Sequence, residues 1–162
     1  MKMEPIKFIL CRPRSRSTWL AHFLGAGHDV SIFCKSKDDL LKFPIIVDTS
    51  LAIHYEELKK TFPDAKFYLL YRDHQECLES LISIGISPNN GFSQVSIAVD
   101  KLKESLPIID FYKLDDREYL KDLYKEITGT TCTEDHLREF ICTKIETIPS
   151  KFFDEVENAL RS

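Results

Sequence analysis

Arginine and hydroxyl side chains alternate directly after an apolar segment near the start of the chain. Residues 6–11 are mostly apolar, and the next residues include Arg12, Arg14 and Arg16 interleaved with Pro and Ser. A helical pattern then begins at Ser17. Backbone N–H groups at a helix N-terminus, hydroxyls and guanidinium groups all donate hydrogen bonds to phosphate oxygens. The segment therefore predicts an anion site, most simply for a nucleotide phosphate.

The spacing of this segment differs from that of ordinary ATPases and GTPases. Against the pattern GxxxxGK[ST], residues 11–18 keep only Thr18, and Ser17 stands where the lysine would be. That lysine reaches the β and γ phosphates, so its loss argues against nucleoside triphosphate hydrolysis. A small phosphoryl-transfer kinase remains the least favoured alternative.

The same residues resemble the phosphosulfate-binding loop of sulfotransferases, whose usual form is P-[KR]-S-G-T-T-W-L. The loop here reads Pro13-Arg14-Ser15-Arg16-Ser17-Thr18-Trp19-Leu20. Enzymes of that family transfer a sulfuryl group from 3′-phosphoadenosine 5′-phosphosulfate (PAPS) to a hydroxyl or amine, on a P-loop-like fold and without a metal. The resemblance implies that the 5′-phosphosulfate is bound by Arg14, Ser15, Arg16, Ser17 and Thr18.

Two of these loop positions carry specific expectations. Arg14 stands at the family's lysine position, so the resemblance assigns it the neutralisation of charge on the bridging oxygen. Arg16 stands at a glycine position. Either the backbone of Arg16 avoids positive φ, or the loop departs from the family's shape.

A second segment, residues 66–81, resembles the family's site for the 3′-phosphate. There a strand ends in Arg72, and Ser80 follows eight residues later. An arginine at the end of a parallel strand and a serine two turns into the next helix can converge on one phosphate. A weaker third likeness covers residues 111–129, a strand, an acidic turn and a helix that ends in glycine.

The general base of many soluble sulfotransferases is the histidine of a Lys-Thr-His sequence, and the matching residues here are Asp48, Thr49 and Ser50. A serine is not a base at neutral pH, so that role does not carry over. Asp48 could accept a proton, and His54 would share a helix face with Ser50. We interpret His22, His28, His74 and His136 as ordinary residues, because their spacing assembles no metal site. The alternative function is a nucleotide-binding protein that lacks catalysis.

Strands and helices alternate along the chain in the order that positions such a site. Strands are predicted at residues 6–11, 44–47, 66–71 and 108–112, and helices at 17–24, 51–61, 75–84, 94–105 and 117–127. This order predicts a three-layer α/β fold of the P-loop type, with a short, mostly parallel sheet of about four strands. Residues 87–93 predict a loop, and 133 onward a helical C-terminus that includes 152–160.

Composition narrows the class of partners. The 162 residues predict one domain, and a net charge of −4 gives no general attraction for nucleic acid or anionic lipid. Five cysteines without a CxxC pair indicate neither a disulfide framework nor a zinc site. We therefore expect a cytoplasmic protein that binds PAPS or its product 3′-phosphoadenosine 5′-phosphate (PAP), a small acceptor and no metal.

Overall fold

A parallel sheet of five strands forms the centre of the protein. The computed structural model describes residues 4–143 and residue 160. The strands lie in the order β2-β3-β1-β4-β5. Their bounds are β1 Lys7–Cys11, β2 Gly27–His28, β3 Ile45–Asp48, β4 Lys66–Tyr71 and β5 Ile108–Asp110. The prediction of about four strands is confirmed, and the fifth strand, β2, carried no sequence signal because it has only two residues and no apolar run.

Helices connect the strands. They are α1 Ser17–Leu24, α2 Lys37–Leu40, α3 Tyr55–Thr61, α4 His74–Ser83, α5 Asn90–Leu102, α6 Arg117–Thr128 and α7 Glu134–Phe140. Short 3-10 turns occupy Val30–Phe33, Leu51–His54 and Phe111–Lys113. The predicted helix over 51–61 is thus a 3-10 turn followed by α3. No helix among residues 4–143 is long and apolar enough to cross a membrane.

Alternation along β1 divides the core into two layers. Phe8 and Leu10 pack with residues of α3 and α5, whereas Ile9 and Cys11 pack with α1, α6 and α7. Successive side chains of a strand point to opposite faces, so a fully buried strand needs helices on both sides. Burial of each large apolar side chain contributes about 1.5–3 kcal/mol. This arrangement confirms the three-layer α/β fold.

Several helix ends follow the capping rules read from the sequence. Thr133 accepts a hydrogen bond from the His136 N–H at the start of α7, and Gly129 ends α6 with φ of 78°. The expectation of a loop over 87–93 holds for 87–89 and is corrected for 90–93, because α5 begins at Asn90 and Asn89 caps it by accepting from the Phe92 N–H. The predicted stretch 152–160 lies, apart from residue 160, outside the described residues.

The topology brings three loops to one edge of the sheet. Residue Leu10 pairs with Asp48 of β3, and Cys11 pairs with Leu70 of β4. The segments that follow β1, β3 and β4 therefore leave the sheet side by side, at its carboxyl edge. Ligands of open α/β sheets bind at this edge, where the strand order reverses. The first strand lies between the other two, so its following loop is central.

Candidate functional site

A cavity of about 470 Å³ opens at the carboxyl edge of the sheet. Its wall is built from the loop after β1, the end of β2, the ends of β3 and β4, the last turn of α4 and one residue after α7. The lining residues are Pro13, Arg14, Arg16, Ser17, Thr18, Trp19, His28, Asp29, Thr49, Arg72, Ser80, Ile84 and Thr143. The structure therefore brings together the two segments that the sequence assigned to phosphate binding.

The loop between β1 and α1 has an unusual backbone. Arg14 and Arg16 lie in the left-handed region, with φ of 69° and 63°. For residues with a Cβ this conformation costs roughly 1–2 kcal/mol each. The first of the two alternatives for Arg16 is therefore wrong, because its backbone does not avoid positive φ. Arg16 precedes α1 without a side-chain hydrogen bond to it, so the first turn has no side-chain cap.

One side of the cavity, which we call the cationic wall, consists of Arg14, Arg72 and Ser80. The Nε of Arg14 donates to the Oγ of Ser80 at 3.0 Å, and a guanidinium nitrogen of Arg72 donates to the Arg14 carbonyl at 2.7 Å. The Arg72 guanidinium also packs over Phe111, 4.4 Å from the ring centre. Its buried Nε has no hydrogen-bond partner among the described residues. These contacts fix Arg14 and Arg72, which both line the cavity.

Arg16 lies at the cavity with its guanidinium held from two directions. The group is 3.1 Å from an Asp115 carboxylate oxygen and 4.3 Å from the centre of the Trp19 ring. Trp19 itself is buried and donates from its indole nitrogen to the Phe140 carbonyl at 3.1 Å. An exposed ion pair of this kind contributes at most about 1 kcal/mol, so Arg16 can exchange Asp115 for another anion.

The opposite side, which we call the acidic wall, consists of His28, Asp29 and Thr49. The Asp29 carboxylate accepts from the Thr49 backbone N–H at 2.7 Å and from its hydroxyl at 3.1 Å. The Nε2 of His28 lies 3.5 Å from an Asp29 oxygen and 3.0 Å from the Ser17 hydroxyl. It also lies 3.4 Å from the Thr18 hydroxyl. Two hydroxyls of the phosphate loop thus contact this wall.

Burial shifts both titratable groups of the acidic wall towards their neutral forms. Desolvation, with a further contribution from the charge of Asp48, raises the pKa of Asp29 to about 7, against two opposing hydrogen bonds from Thr49. Desolvation lowers the pKa of His28 to about 4. At neutral pH His28 is therefore uncharged, and the Asp29 carboxyl is near the midpoint of its titration. A group with such a pKa both accepts and releases protons readily.

The two bases proposed from the sequence lie outside the cavity lining. Asp48 is fully buried, and its carboxylate accepts four hydrogen bonds, from the Ser50 N–H and hydroxyl, the Leu51 N–H and the Ser31 hydroxyl. Its oxygens are occupied in holding the end of β3. Asp48 is therefore a structural anchor of this loop.

His54 is directed elsewhere because of the 3-10 turn over Leu51–His54. With three residues per turn, positions four apart are rotated by about 120°, so His54 and Ser50 do not share a face. The imidazole is half exposed, and its Nδ1 lies 3.8 Å from Glu57. The expectation of a common face for these two residues is thus wrong.

Arg12 and Ser15, both between β1 and α1, face the interior. Arg12 continues the alternation of β1 towards α5, where its buried guanidinium pairs with Asp100 at 2.5 Å. Its predicted place in the anion site is therefore corrected. Ser15 is also buried, with its hydroxyl 3.5 Å from the sulfur of Cys77. The Ser15 side chain does not line the cavity, whereas Arg14, Arg16, Ser17 and Thr18 do.

Asp29 and His28 are the site residues that sequence reasoning missed. They follow from the pairing of β2 with β3, in which Gly27 lies beside Ile46 and His28 beside Val47. The Asp29 N–H then donates to the Val47 carbonyl at 2.9 Å, and this bond places Asp29 next to Thr49. The sequence signal was an acidic residue shortly after the first helix, without an apolar strand to mark its position.

The chain was compared with known proteins. Neither the models of protein families nor the curated proteins gave a match. Among residues 4–143, no group of three or more His, Cys, Asp or Glu side chains could hold a metal ion.

Proposed function

We propose that the protein binds PAPS in this cavity and transfers its sulfuryl group to a small acceptor. One observation carries the proposal: Arg72 and Ser80, from a segment like a 3′-phosphate site, meet Arg14, from a segment like a phosphosulfate loop. The two segments are 58 and 66 residues apart at these contacts, yet they line one cavity.

The cationic wall suits a ligand with two separated anionic groups. Arg72 has a buried, unpartnered Nε, and both Arg72 and the hydroxyl of Ser80 contact Arg14. Arg14 lies between this pair and the start of α1, where charge on a bridging oxygen would develop during transfer. Fixed donors of this kind stabilise the transition state because they need no reorganisation.

The acidic wall suits the proton that transfer releases. In the proposed step the acceptor oxygen forms a bond to sulfur, and the bond from sulfur to the bridging oxygen breaks. The electron pair of that bond leaves with the phosphate of PAP, and the acceptor proton passes to the Asp29 carboxylate. Thr49 holds this carboxylate through two hydrogen bonds. A pKa of about 7 matches the base to neutral pH.

The first test is isothermal titration calorimetry with PAP, with AMP and with ATP plus magnesium as comparisons. We expect magnesium-independent binding of PAP that AMP does not reproduce, because AMP lacks the 3′-phosphate. Arg14→Ala and Ser80→Ala should weaken PAP by roughly 100-fold and 5-fold, the larger effect for the charged donor. Arg138→Ala is the matched control, since its side chain is 76% exposed and lines no part of the cavity. Wild-type binding in both test variants would reject the site.

A binding protein without catalysis is the second candidate. It is favoured by the positions of Asp48 and His54, neither of which lines the cavity. Mass spectrometry of PAPS incubated with the protein and candidate acceptors separates the two functions. Formation of PAP together with a sulfated acceptor excludes the binding protein, whereas PAP affinity without any turnover supports it.

Five free cysteines, at positions 11, 34, 77, 132 and 142, fit a reducing compartment. We accordingly place the proposed reaction in the cytoplasm. The donor nucleotide and a small acceptor are its expected ligands.

A further inference from the structure

Arg16 differs from the other two arginines of the cavity in the kind of partner it has. Arg14 and Arg72 contact a hydroxyl, a backbone carbonyl and an aromatic ring, all uncharged, and neither forms an ion pair within the described residues. The Arg16 guanidinium lies 3.1 Å from the Asp115 carboxylate. Of these three arginines, Arg16 is therefore the one whose charge an acid of the same chain neutralises.

The backbone is fixed on both sides of Asp115. Leu114 is fully buried, and its N–H donates to the Phe111 carbonyl at 3.3 Å. Asp116, on the other side, is the N-cap of α6. The chain thus presents the Asp115 carboxylate to Arg16 without having to order a segment, and this makes the carboxylate an effective competitor for a dissolved anion.

The Arg16 guanidinium is shared between Asp115 and the cavity. Arg16 lines the cavity, whereas Asp115 does not. The Asp115 side chain is 61% exposed, so water can hydrate its carboxylate when the pair opens, and opening costs only the weak ion pair itself. The stacking of Arg16 on the Trp19 ring does not involve Asp115. An anion in the cavity therefore meets a guanidinium that Trp19 still holds.

We propose that Asp115 is an autoinhibitory counter-anion, which occupies Arg16 until an anionic group of the ligand replaces it. This inference rests on the proposed function only in placing such a group at Arg16. Two negative charges that share one guanidinium repel each other, so Asp115 lowers the affinity whether its side chain stays in place or turns into solvent.

The counter-anion affects small and large ligands differently. Every ligand that uses Arg16 loses the same factor in affinity, because Asp115 must be displaced in each case. A small anion then falls below saturation, whereas a nucleotide that also contacts Arg14 and Arg72 stays bound. Asp115 would thus keep the cavity from being filled by small anions.

The test is isothermal titration calorimetry of the protein with inorganic pyrophosphate and with PAP. Asp115→Asn keeps the shape of the side chain and removes its charge. It should tighten the binding of both anions by roughly two- to fivefold, the range that an exposed ion pair supports. Glu118→Gln is the matched control, because it removes the same charge from the first turn of α6, where the side chain is 79% exposed and pairs with Lys121. Glu118→Gln should leave both affinities unchanged.

A double-mutant cycle shows whether Asp115 acts through Arg16. Arg16→Gln should weaken the binding of both anions, and adding Asp115→Asn to this variant should give no gain, since the competitor no longer has its cation. A gain that persists in the Arg16→Gln variant, an equal gain from Glu118→Gln, or a loss of affinity in Asp115→Asn would overturn the proposal.

The use of two anions separates this inference from the proposed function. Tighter binding of pyrophosphate by Asp115→Asn than by the wild type, in a protein that does not bind PAP, would support the counter-anion and reject the nucleotide site. Equal binding of PAP by the wild type and Asp115→Asn would retain the nucleotide site and overturn the counter-anion. If neither protein bound either anion, both proposals would be wrong.

Discussion

The two walls of the cavity differ in how they obtain their charge. The cationic wall uses arginines, which stay charged at every accessible pH, and the acidic wall uses a carboxyl whose pKa is raised to about 7. The first wall is at the surface of the loop after β1 and at the ends of β4 and α4. The second is half-buried between β2 and β3. In the proposed reaction the cationic wall would bind the anionic donor, and the acidic wall would accept the proton of the acceptor.

The substitution Asp29→Asn tests most directly whether the two walls have separate roles. Asparagine tolerates the left-handed backbone of this position, φ 49°, and its amide oxygen can still accept from Thr49. In the proposed reaction we expect turnover to fall at least about 100-fold, because the general base is lost. PAP affinity should stay the same or rise slightly, since one negative charge disappears from the cavity. The measurement is steady-state release of PAP from PAPS with an acceptor that the mass-spectrometric assay identifies, beside calorimetry with PAP.

Asp38→Asn is the matched control, because Asp38 is an exposed acid that lines no part of the cavity. Asp38→Asn should change neither the turnover nor the affinity for PAP. If Asp29→Asn lost PAP affinity and turnover together, the two walls would be one binding surface, and the separate proton role would be wrong.

The cationic wall could be predicted from the sequence, and the acidic wall could not. Arg72 follows an apolar strand of six residues, and Ser80 follows at a helical spacing, so their positions depend only on local patterns. Asp29 depends on a two-residue edge strand whose register is fixed by β3, and no local pattern records such a pairing. The prediction that Arg12 belongs to the anion site was wrong for a related reason. Alternation along β1 turns its side chain inward to Asp100, although its neighbours in sequence line the cavity.

A second consequence of the acidic wall concerns stability against pH. The pKa of Asp29 rises from 3.8 to about 7 on folding, so its contribution to stability is complete below pH 4 and is lost as pH rises towards 7. The pKa of His28 falls from 6.5 to about 4, so its contribution is present above pH 6.5 and is lost as pH falls towards 4. In the wild type the two contributions to the free energy of unfolding change with pH in opposite directions, over nearly the same pH range.

Asp29→Asn removes the pH-dependent contribution of Asp29 to the free energy of unfolding and leaves that of His28. Relative to the wild type, the variant should gain roughly 2 kcal/mol of unfolding free energy between pH 4 and pH 7, a value reduced for the partial exposure of the carboxyl. Urea denaturation of both proteins at several pH values measures the difference. A difference that stays constant over this range would mean that Asp29 titrates as an ordinary surface acid.

The smallest expected effect concerns the backbone of the loop between β1 and α1, at Arg16. Arg16 has φ of 63°, so Arg16→Gly should be more stable than Arg16→Ala by about 1 kcal/mol in thermal or urea denaturation. Both variants lose the guanidinium and its contacts with Asp115 and Trp19, so the comparison isolates the backbone. In a right-handed conformation the order would be the reverse, because glycine loses more entropy on folding. If both variants lose the same PAP affinity, the contribution of Arg16 to binding comes from its side chain, as a cationic neighbour of Arg14. The backbone strain then affects stability alone.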